Sequence, residues 1–367
     1  FIDACVENGS FTDEGKKDIK IVFTSIHGTA VAITPKAFEK AGFTQVHQVP
    51  EQAIPSGDFP TVKSPNPEEP EALTMAVALA NEIGADVVIG TDPDADRVGV
   101  ATRNNDGEIV LLNGNQMNTV LTYYLLEKWQ EAGKLNGKEF IGSTIVTSDI
   151  FYDIAAKFNV DCKVGLTGFK WIADMIRQFE GVEKFIGGGE ESFGFMVGDF
   201  IRDKDSVTTA LLVSEIAAVQ KAKGSSLYNK LIEIYAELGK SYQEDLISIV
   251  KPGKEGAELI AKMMVEFRSN PPKELAGSKV IRTKDFQTSI DKDLISGEEK
   301  TIDIPKSNVL IFYTEDGSKV ACRPSGTEPK IKYYFSVNAP LANTTDYLKV
   351  QETLLGKIDQ LKNDFSN

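Results

Sequence analysis

The sequence predicts an α/β protein: two consecutive α/β domains with mixed sheets, followed by a smaller α+β domain at the C-terminus. Three observations carry that expectation. Strand-like apolar runs alternate with helical periods from the N-terminus to about Gly239. The alternation restarts at Gly114, after a hairpin pattern, so it divides near residue 113. Beyond 240, strands follow one another through tight turns, the pattern of an antiparallel sheet with helices on one face. The expected domains are residues 1–113, 114–240 and 241–367.

In order, "DIKIVFTSIHG" reads as a buried strand ending in a turn, and "TPKAFEKAGF" as a short helix with Thr34 as N-cap and Pro35 at its first position. "TQVHQVPE" is a second strand, "NPEEPEALTMAVALANEIGA" a helix closed by Gly84, and "DVVIGTD" a third strand. "RVGVATRNNDGEIVLLN" is a hairpin with Asp106-Gly107 in its turn. The second domain opens on an amphipathic helix, "NQMNTVLTYYLLEKWQEAG", then alternates "FIGSTIVTSD", "IFYDIAAKFN", "CKVGLTG", "FKWIADMIRQF" and "VEKFIGGGEES" before two further helices. The last domain reads as the strand "QEDLISIV", a helix from Gly256 to Asn270, "SKVIRTKDF", the hairpin "NVLIFYTEDGSKVACR", "KIKYYFSV" and a final helix.

Composition narrows the function classes. With 41% hydrophobic and 26% charged residues, the 367-residue chain is that of a folded globular protein rather than a disordered one. A net charge of −14 argues against nucleic acid, which needs a basic surface, but leaves room for small anions met by local cations. No apolar run reaches membrane-spanning length and no signal peptide is visible. Cys5, Cys162 and Cys322 are odd in number and far apart, so the expected compartment is the reducing cytoplasm. The chain begins at Phe1 without an initiator methionine, and upstream residues are expected to belong to the same protein.

The stretch "GTDPDADRVGV" sets Asp92, Asp94 and Asp96 on alternate residues and follows them with Arg97. Residues two apart on a strand are separated by roughly 6.6 Å, whereas oxygens sit about 2.1 Å from magnesium. The three carboxylates share one ion only if the backbone curls, which Pro93 and small Ala95 favour. A calcium EF-hand fails, because Arg97 and Arg103 stand where it needs glycine and glutamate. Hard oxygens beside an arginine fit magnesium next to a phosphate. Taken alone, the stretch is equally an aspartate-rich turn with solvated carboxylates.

Four other stretches carry chemistry. "RPSGTEPKIKYY" offers the guanidinium of Arg323, the hydroxyls of Ser325 and Thr327 and backbone N–H groups around Gly326, the equipment of a phosphate cradle. "IGGGEESFGF" supplies glycines for close backbone approach, then Glu190, Glu191 and Ser192, suited to sugar hydroxyls. "LTGFKW" and "IRDKDS" each present one lysine, Lys170 and Lys204, which singly read as surface residues.

Together and in this order, "TDPDADR", "GGGEESFG", "IRDKDS" and "RPSGTEPKIK" resemble the α-D-phosphohexomutases, the family of phosphoglucomutase and phosphomannomutase. The resemblance covers essentially the whole chain, extends to "TSIHGT" and "FPTVKSPNPEE", and points to the bacterial phosphoglucomutase branch related to phosphopentomutase and glucose-1,6-bisphosphate synthase. It implies that Asp92, Asp94 and Asp96 hold Mg2+ and that Arg97 stands near the reacting phosphoryl group. It implies that Glu190 and Ser192 hold sugar hydroxyls, that Lys204 faces the substrate in an acid–base role, and that Lys170 lies in a sugar-recognition turn. Arg323, Ser325, Gly326 and Thr327 match the loop for the phosphate that is not transferred. The resemblance further implies glucose 1,6-bisphosphate as intermediate and activator, with a phosphosugar as substrate.

One departure from the family pattern stands out. The family carries its phosphoryl group on a serine in a Thr-x-Ser-His-Asn-Pro-like loop of an N-terminal domain, and no such loop occurs here. "KSPNPEEP" is a decoy, because Ser64 has no neighbouring histidine and precedes a helix. His27 reads as a structural or interdomain residue. The expectation is therefore the last three of the family's four domains, inactive without the N-terminal one. Two other readings stay open: an aspartate-based phosphatase using Asp92 or Asp94 as nucleophile, and a non-catalytic sugar-phosphate-binding protein. Sugar preference among glucose, mannose and pentose phosphates also stays open, with "GEES" leaning to glucose.

Overall fold

The computed structural model describes residues 1–366. Two compact units make up the chain, Phe1–Ile234 and the remainder from Tyr235. Among the described residues no helix is long and apolar enough to cross a membrane.

The first unit begins with α1 (Ile2–Gly9), β1 (Ile21–Thr24), α2 (Thr34–Lys40) and β2 (Val46–Gln48). It continues with α3 (Thr74–Ile83), β3 (Val87–Thr91), β4 (Val98–Arg103) and β5 (Ile109–Leu112). These strands form a mixed sheet in the order β2-β1-β3-β4-β5, parallel from β2 to β3 and antiparallel beyond. β1 and β3 are buried along their whole length, as their unbroken apolar runs require of strands covered on both faces. Gly84 closes α3 in the left-handed conformation that a residue without Cβ adopts freely. Thr34 is not a cap. Ile33 holds that place, because a 3-10 turn at Thr29–Ala32 runs straight into α2, and the Thr34 hydroxyl is buried without a partner.

A second mixed sheet follows. Its elements are α4 (Gly114–Glu131), β6 (Glu139–Thr144), α5 (Ile150–Phe158), β7 (Asp161–Gly165), α6 (Phe169–Phe179), β8 (Lys184–Glu190) and β9 (Gly194–Val197). Two helices, α7 (Ser206–Ala222) and α8 (Leu227–Leu238), come next. α4 starts on a capping box between Asn113 and Gln116, each side chain accepting from the other's backbone N–H. It is not amphipathic over its first turns. Every residue from Gly114 to Leu126 is buried, so the polar side chains there lie inside the protein. The strand order β7-β6-β8-β9 follows the plan of the first sheet, parallel strands and then an antiparallel hairpin, with one antiparallel strand fewer. The aspartate stretch closes hairpin β3–β4 and "GEES" closes hairpin β8–β9, so the two stretches occupy equivalent places.

The N-terminal segment ties the two sheets together. The buried Glu215 carboxylate of α7 accepts from the backbone N–H groups of Phe11 and Thr12, from Ser10, and from the Tyr124 hydroxyl at 2.8 Å. The Lys16 ammonium stands 3.6 Å away. A buried carboxylate met by this many donors is a strong local tie.

The second unit holds one antiparallel sheet. Its elements are β10 (Lys240–Val250), α9 (Gly253–Ser269), β11 (Glu274–Leu275), β12 (Ser278–Asp285), β13 (Ile290–Asp293), β14 (Glu299–Thr301), β15 (Leu310–Thr314), β16 (Lys319–Pro324), β17 (Lys330–Pro340) and α10 (Tyr347–Ser366). The order is β10-β17-β16-β15-β12-β13-β14, with β11 paired to β12. Period-2 alternation puts Ile331, Tyr333, Phe335 and Val337 on one face. There they pack against Ile260 and Met264 of α9 and Leu354, Ile358, Leu361 and Phe365 of α10. Both helices thus cover the same face, as the sequence pattern predicts.

Candidate functional site

The aspartate loop begins where β3 leaves the first sheet. The Asp92 carboxylate turns back and accepts the backbone N–H groups of Asp96 and Arg97, each at 2.9 Å. Ala95 takes a left-handed φ of 65°, open to a small side chain at modest cost, and its N–H bonds to the Asp92 carbonyl. The backbone therefore curls, and one carboxylate oxygen from each of Asp92, Asp94 and Asp96 lies within 4.8 Å of the others. Asp92 is buried, Asp96 half-buried and Asp94 exposed.

The electrostatics of this cluster are strained. Burial pushes the Asp92 carboxyl up to about 7. The Arg97 backbone N–H opposes that rise, while the Asp96 charge adds to it. Two side-chain cations approach. The Lys204 ammonium pairs with Asp96, and Arg97 Nε stands 3.8 Å from both Asp92 Oδ2 and Asp96 Oδ1. Arg97 makes its short contact elsewhere, at 2.7 Å to Glu68. Among the described residues, Asp96 Oδ1 finds no hydrogen-bond partner and is buried. An all-carboxylate donor set with an orphaned buried oxygen fits a hard divalent cation.

The second sheet supplies the neighbouring groups. Lys204 lies between β9 and α7, and its chain crosses Gly194 so closely that a Cβ there would sit 2.6 Å from Lys204 Cδ. Asp205 caps α7 by accepting from the N–H groups of Val207 and Thr208, and Ser206 N–H donates to the Ala95 carbonyl at 3.2 Å. Those bonds fix Lys204 against the aspartate loop. Glu190 ends β8, is 4% exposed, and accepts the Gly168 N–H of the "LTGFKW" turn. Burial first and Glu191 second raise its carboxyl to about 7. Glu191 itself accepts from Thr147 at 3.2 Å, and Ser192 is half-exposed at the tip of the turn. Lys170 is exposed, with its ammonium 5.4 Å from the centre of the Trp171 ring.

The structure thus brings Asp92, Asp94 and Asp96 within 4.8 Å of one another, with Arg97 3.8 Å from Asp92 and Asp96, Lys204 paired to Asp96, and Glu190 close enough to feel Arg97 and Lys204. Lys170 instead stands over the Trp171 ring. His27 is structural: Nδ1 faces the Ile54 carbonyl and Nε2 the Thr61 hydroxyl, each at 2.8 Å. The carbonyl only accepts, so Nδ1 carries the proton in this arrangement. The Ser64 hydroxyl donates to Glu69 at the surface. Sequence reasoning missed Glu68, although "NPEE" was in view. Only the fold shows that it meets Arg97.

In the second unit, "RPSGTEPK" closes hairpin β16–β17. Arg323 is half-buried and donates to the Tyr334 hydroxyl at 3.2 Å, leaving other guanidinium donors available. Ser325 N–H bonds to the Lys330 carbonyl. Two of the loop's backbone donors are engaged within the loop rather than free. Thr327 N–H and Glu328 N–H both point at Ser325 Oγ, at 3.3 Å each. Gly326 and Thr327 are exposed, and Lys330 neutralises Glu328 at 2.6 Å.

Residues 1–107 match the model of phosphoglucomutase/phosphomannomutase alpha/beta/alpha domain II, and residues 113–235 match domain III. A phosphoglucomutase of Staphylococcus aureus strain MRSA252 is 42% identical over 329 residues, which is 89% of this chain and 58% of that protein. The chain thus spans a little over half the length of the curated relatives it matches. A phosphoglucomutase/phosphomannomutase family protein from Burkholderia thailandensis has the same fold, with a TM-score of 0.62 at 17% identity over 98% of this chain and 64% of that one. The N-acetylphosphoglucosamine mutase of Aspergillus fumigatus, solved with GlcNAc-6P and magnesium, aligns at a TM-score of 0.52 and 11% identity, covering 97% of this chain and 64% of that one.

Proposed function

The chain belongs to the phosphoglucomutase/phosphomannomutase family, and from that premise we propose that it supplies the cation, sugar and distal-phosphate sites of a mutase interconverting a sugar 1-phosphate and a sugar 6-phosphate, with glucose as the sugar. The observation that carries this reading is the convergence of Asp92, Asp94 and Asp96 within 4.8 Å, flanked by Arg97 and Lys204. On this reading, residues 1–113, 114–240 and 241–367 separate the cation loop, the sugar loops and the phosphate loop.

Asp92, Asp94 and Asp96 would hold Mg2+, which the magnesium in the Aspergillus mutase supports. When bound, the ion neutralises charge on the phosphoryl group in transfer. Arg97, with its Nη1 on Glu68 and its Nε 3.8 Å from Asp92 and Asp96, brings a guanidinium charge to the same region. Lys204, tied to Asp96, is placed to pass a proton to or from a sugar hydroxyl. Glu190, with a carboxyl near 7, donates to a hydroxyl when protonated and accepts from one when ionised, which suits a sugar bound in either orientation. Arg323, Ser325, Gly326 and Thr327 take the phosphate that is not moving.

The phosphoryl carrier is assigned to further residues of the same protein. No serine in these 367 residues is followed by histidine, and Ser64 is bonded to Glu69. A coupled assay with Mg2+ and glucose 1,6-bisphosphate tests this. The 367-residue chain is expected to bind glucose 1-phosphate without converting it to glucose 6-phosphate. Turnover comparable to a full-length relative overturns the assignment.

A further inference from the structure

We propose that Glu68 is a positioning residue that holds the Arg97 guanidinium off the carboxylates of the cation loop. This rests on the cation reading above and adds a residue to it. Three features place Glu68. Asn66 folds the segment by accepting the Glu68 N–H at 3.1 Å, while its carbonyl accepts the Glu69 N–H. Pro67 is buried against β4 where Gly99 has no side chain, since a Cβ there would sit 2.6 Å from the Pro67 carbonyl oxygen. Gly99 lies two residues beyond Arg97, so docking Pro67 on it delivers Glu68 to the arginine at 2.7 Å.

The distances show how the guanidinium is shared. Its Nη1 makes a charge-assisted hydrogen bond to Glu68, while its Nε stays 3.8 Å from Asp92 and Asp96, too far for one. Asp96 Oδ1 accordingly keeps its lone pairs, although a donor stands close by. Without Glu68 the nearest anions for Arg97 are those two carboxylates. The guanidinium would close onto them and compete with a divalent ion for the same oxygens. A residue that ligates nothing then sets the affinity of the site through its neighbour, as partners behind metal ligands commonly do.

The test uses the 367-residue chain and two readouts. Arginine side-chain NMR reads the pair without metal: the Arg97 Nε–H signal should show a held guanidinium in the natural protein and a different shift and faster exchange in Glu68→Gln. Magnesium titration by calorimetry reads the consequence: Glu68→Gln should weaken binding about ten-fold, Glu68→Asp less, and Glu68→Gln added to Arg97→Met should weaken it no further. An unchanged Arg97 signal in Glu68→Gln overturns the proposal. So does an equal loss of affinity in the Arg97→Met background, which would show Glu68 acting on the ion by its own charge. Failure of the natural protein to bind magnesium refutes the cation reading instead, and the NMR arm then decides whether Glu68 holds Arg97.

Discussion

The aspartate loop and the Arg323 loop solve the same backbone problem with different atoms. Each closes an antiparallel hairpin, and in each the loop's first polar side chain gathers two backbone N–H groups. In the first, Asp92 accepts from Asp96 and Arg97 at 2.9 Å inside the protein. In the second, Ser325 accepts from Thr327 and Glu328 at 3.3 Å near the surface. A buried carboxylate holds its donors firmly and brings negative charge that needs a cation. A hydroxyl in water holds them weakly, and an arriving anion can take its place. On the proposed reading, the first loop would be shaped before its cation arrives, and the second would yield to its phosphate.

Replacing Asp92 with Ala should have the largest effect. It removes a proposed ligand and strands two N–H groups, so magnesium binding should vanish in calorimetry and the Asp96 and Arg97 amides should exchange faster with deuterium. Unchanged exchange would mean that the curl does not depend on the carboxylate. Arg323→Ala should come next, losing a charge-assisted bond and about 1.5–3 kcal/mol of glucose 1-phosphate affinity. Unchanged binding would show that the loop has been misread.

The pH response separates the loops further. Asp92 and Glu190 have carboxyls raised to about 7 in the folded protein. Between pH 4 and 7, on the order of the ordinary and raised values, the folded state binds more protons than the unfolded one, so metal-free stability should fall as pH rises through that window. Magnesium should bind more tightly over the same rise, as protons cease to compete. Urea denaturation across the window checks the first, and titration checks the second. Asp92→Asn should flatten the stability slope, and an unaltered slope would remove Asp92 from the explanation. Ser325→Ala should have the smallest effect, with little change in stability or in exchange at Thr327 and Glu328, because those amides already lie near water.

Legibility in the sequence followed the range of the forces involved. Gly84 and the alternating aspartates act locally, and both were readable from neighbours alone. The β13–β14 hairpin was not, because "IDKD" and "EKT" show no apolar alternation and earn their pairing from β12 beside them. α1 was missed for a similar reason: its buried Cys5 and Gly9 face α7, some 200 residues away in sequence. Within the site, the separate loops were visible as motifs. Their ties, Glu190 to Gly168, Lys204 to Asp96 and Arg97 to Glu68, exist only once distant segments are folded together.

The most direct test of the central claim is magnesium calorimetry on the 367-residue chain and its Asp94→Asn variant. Asp94 is the exposed member of the triplet, so its substitution removes a proposed ligand while leaving the Asp92 curl in place. One equivalent of magnesium should bind the natural chain, and the variant, folded to the same circular-dichroism spectrum, should bind it much more weakly. Equal affinity in the two proteins would contradict the assignment of the aspartate loop as the cation site.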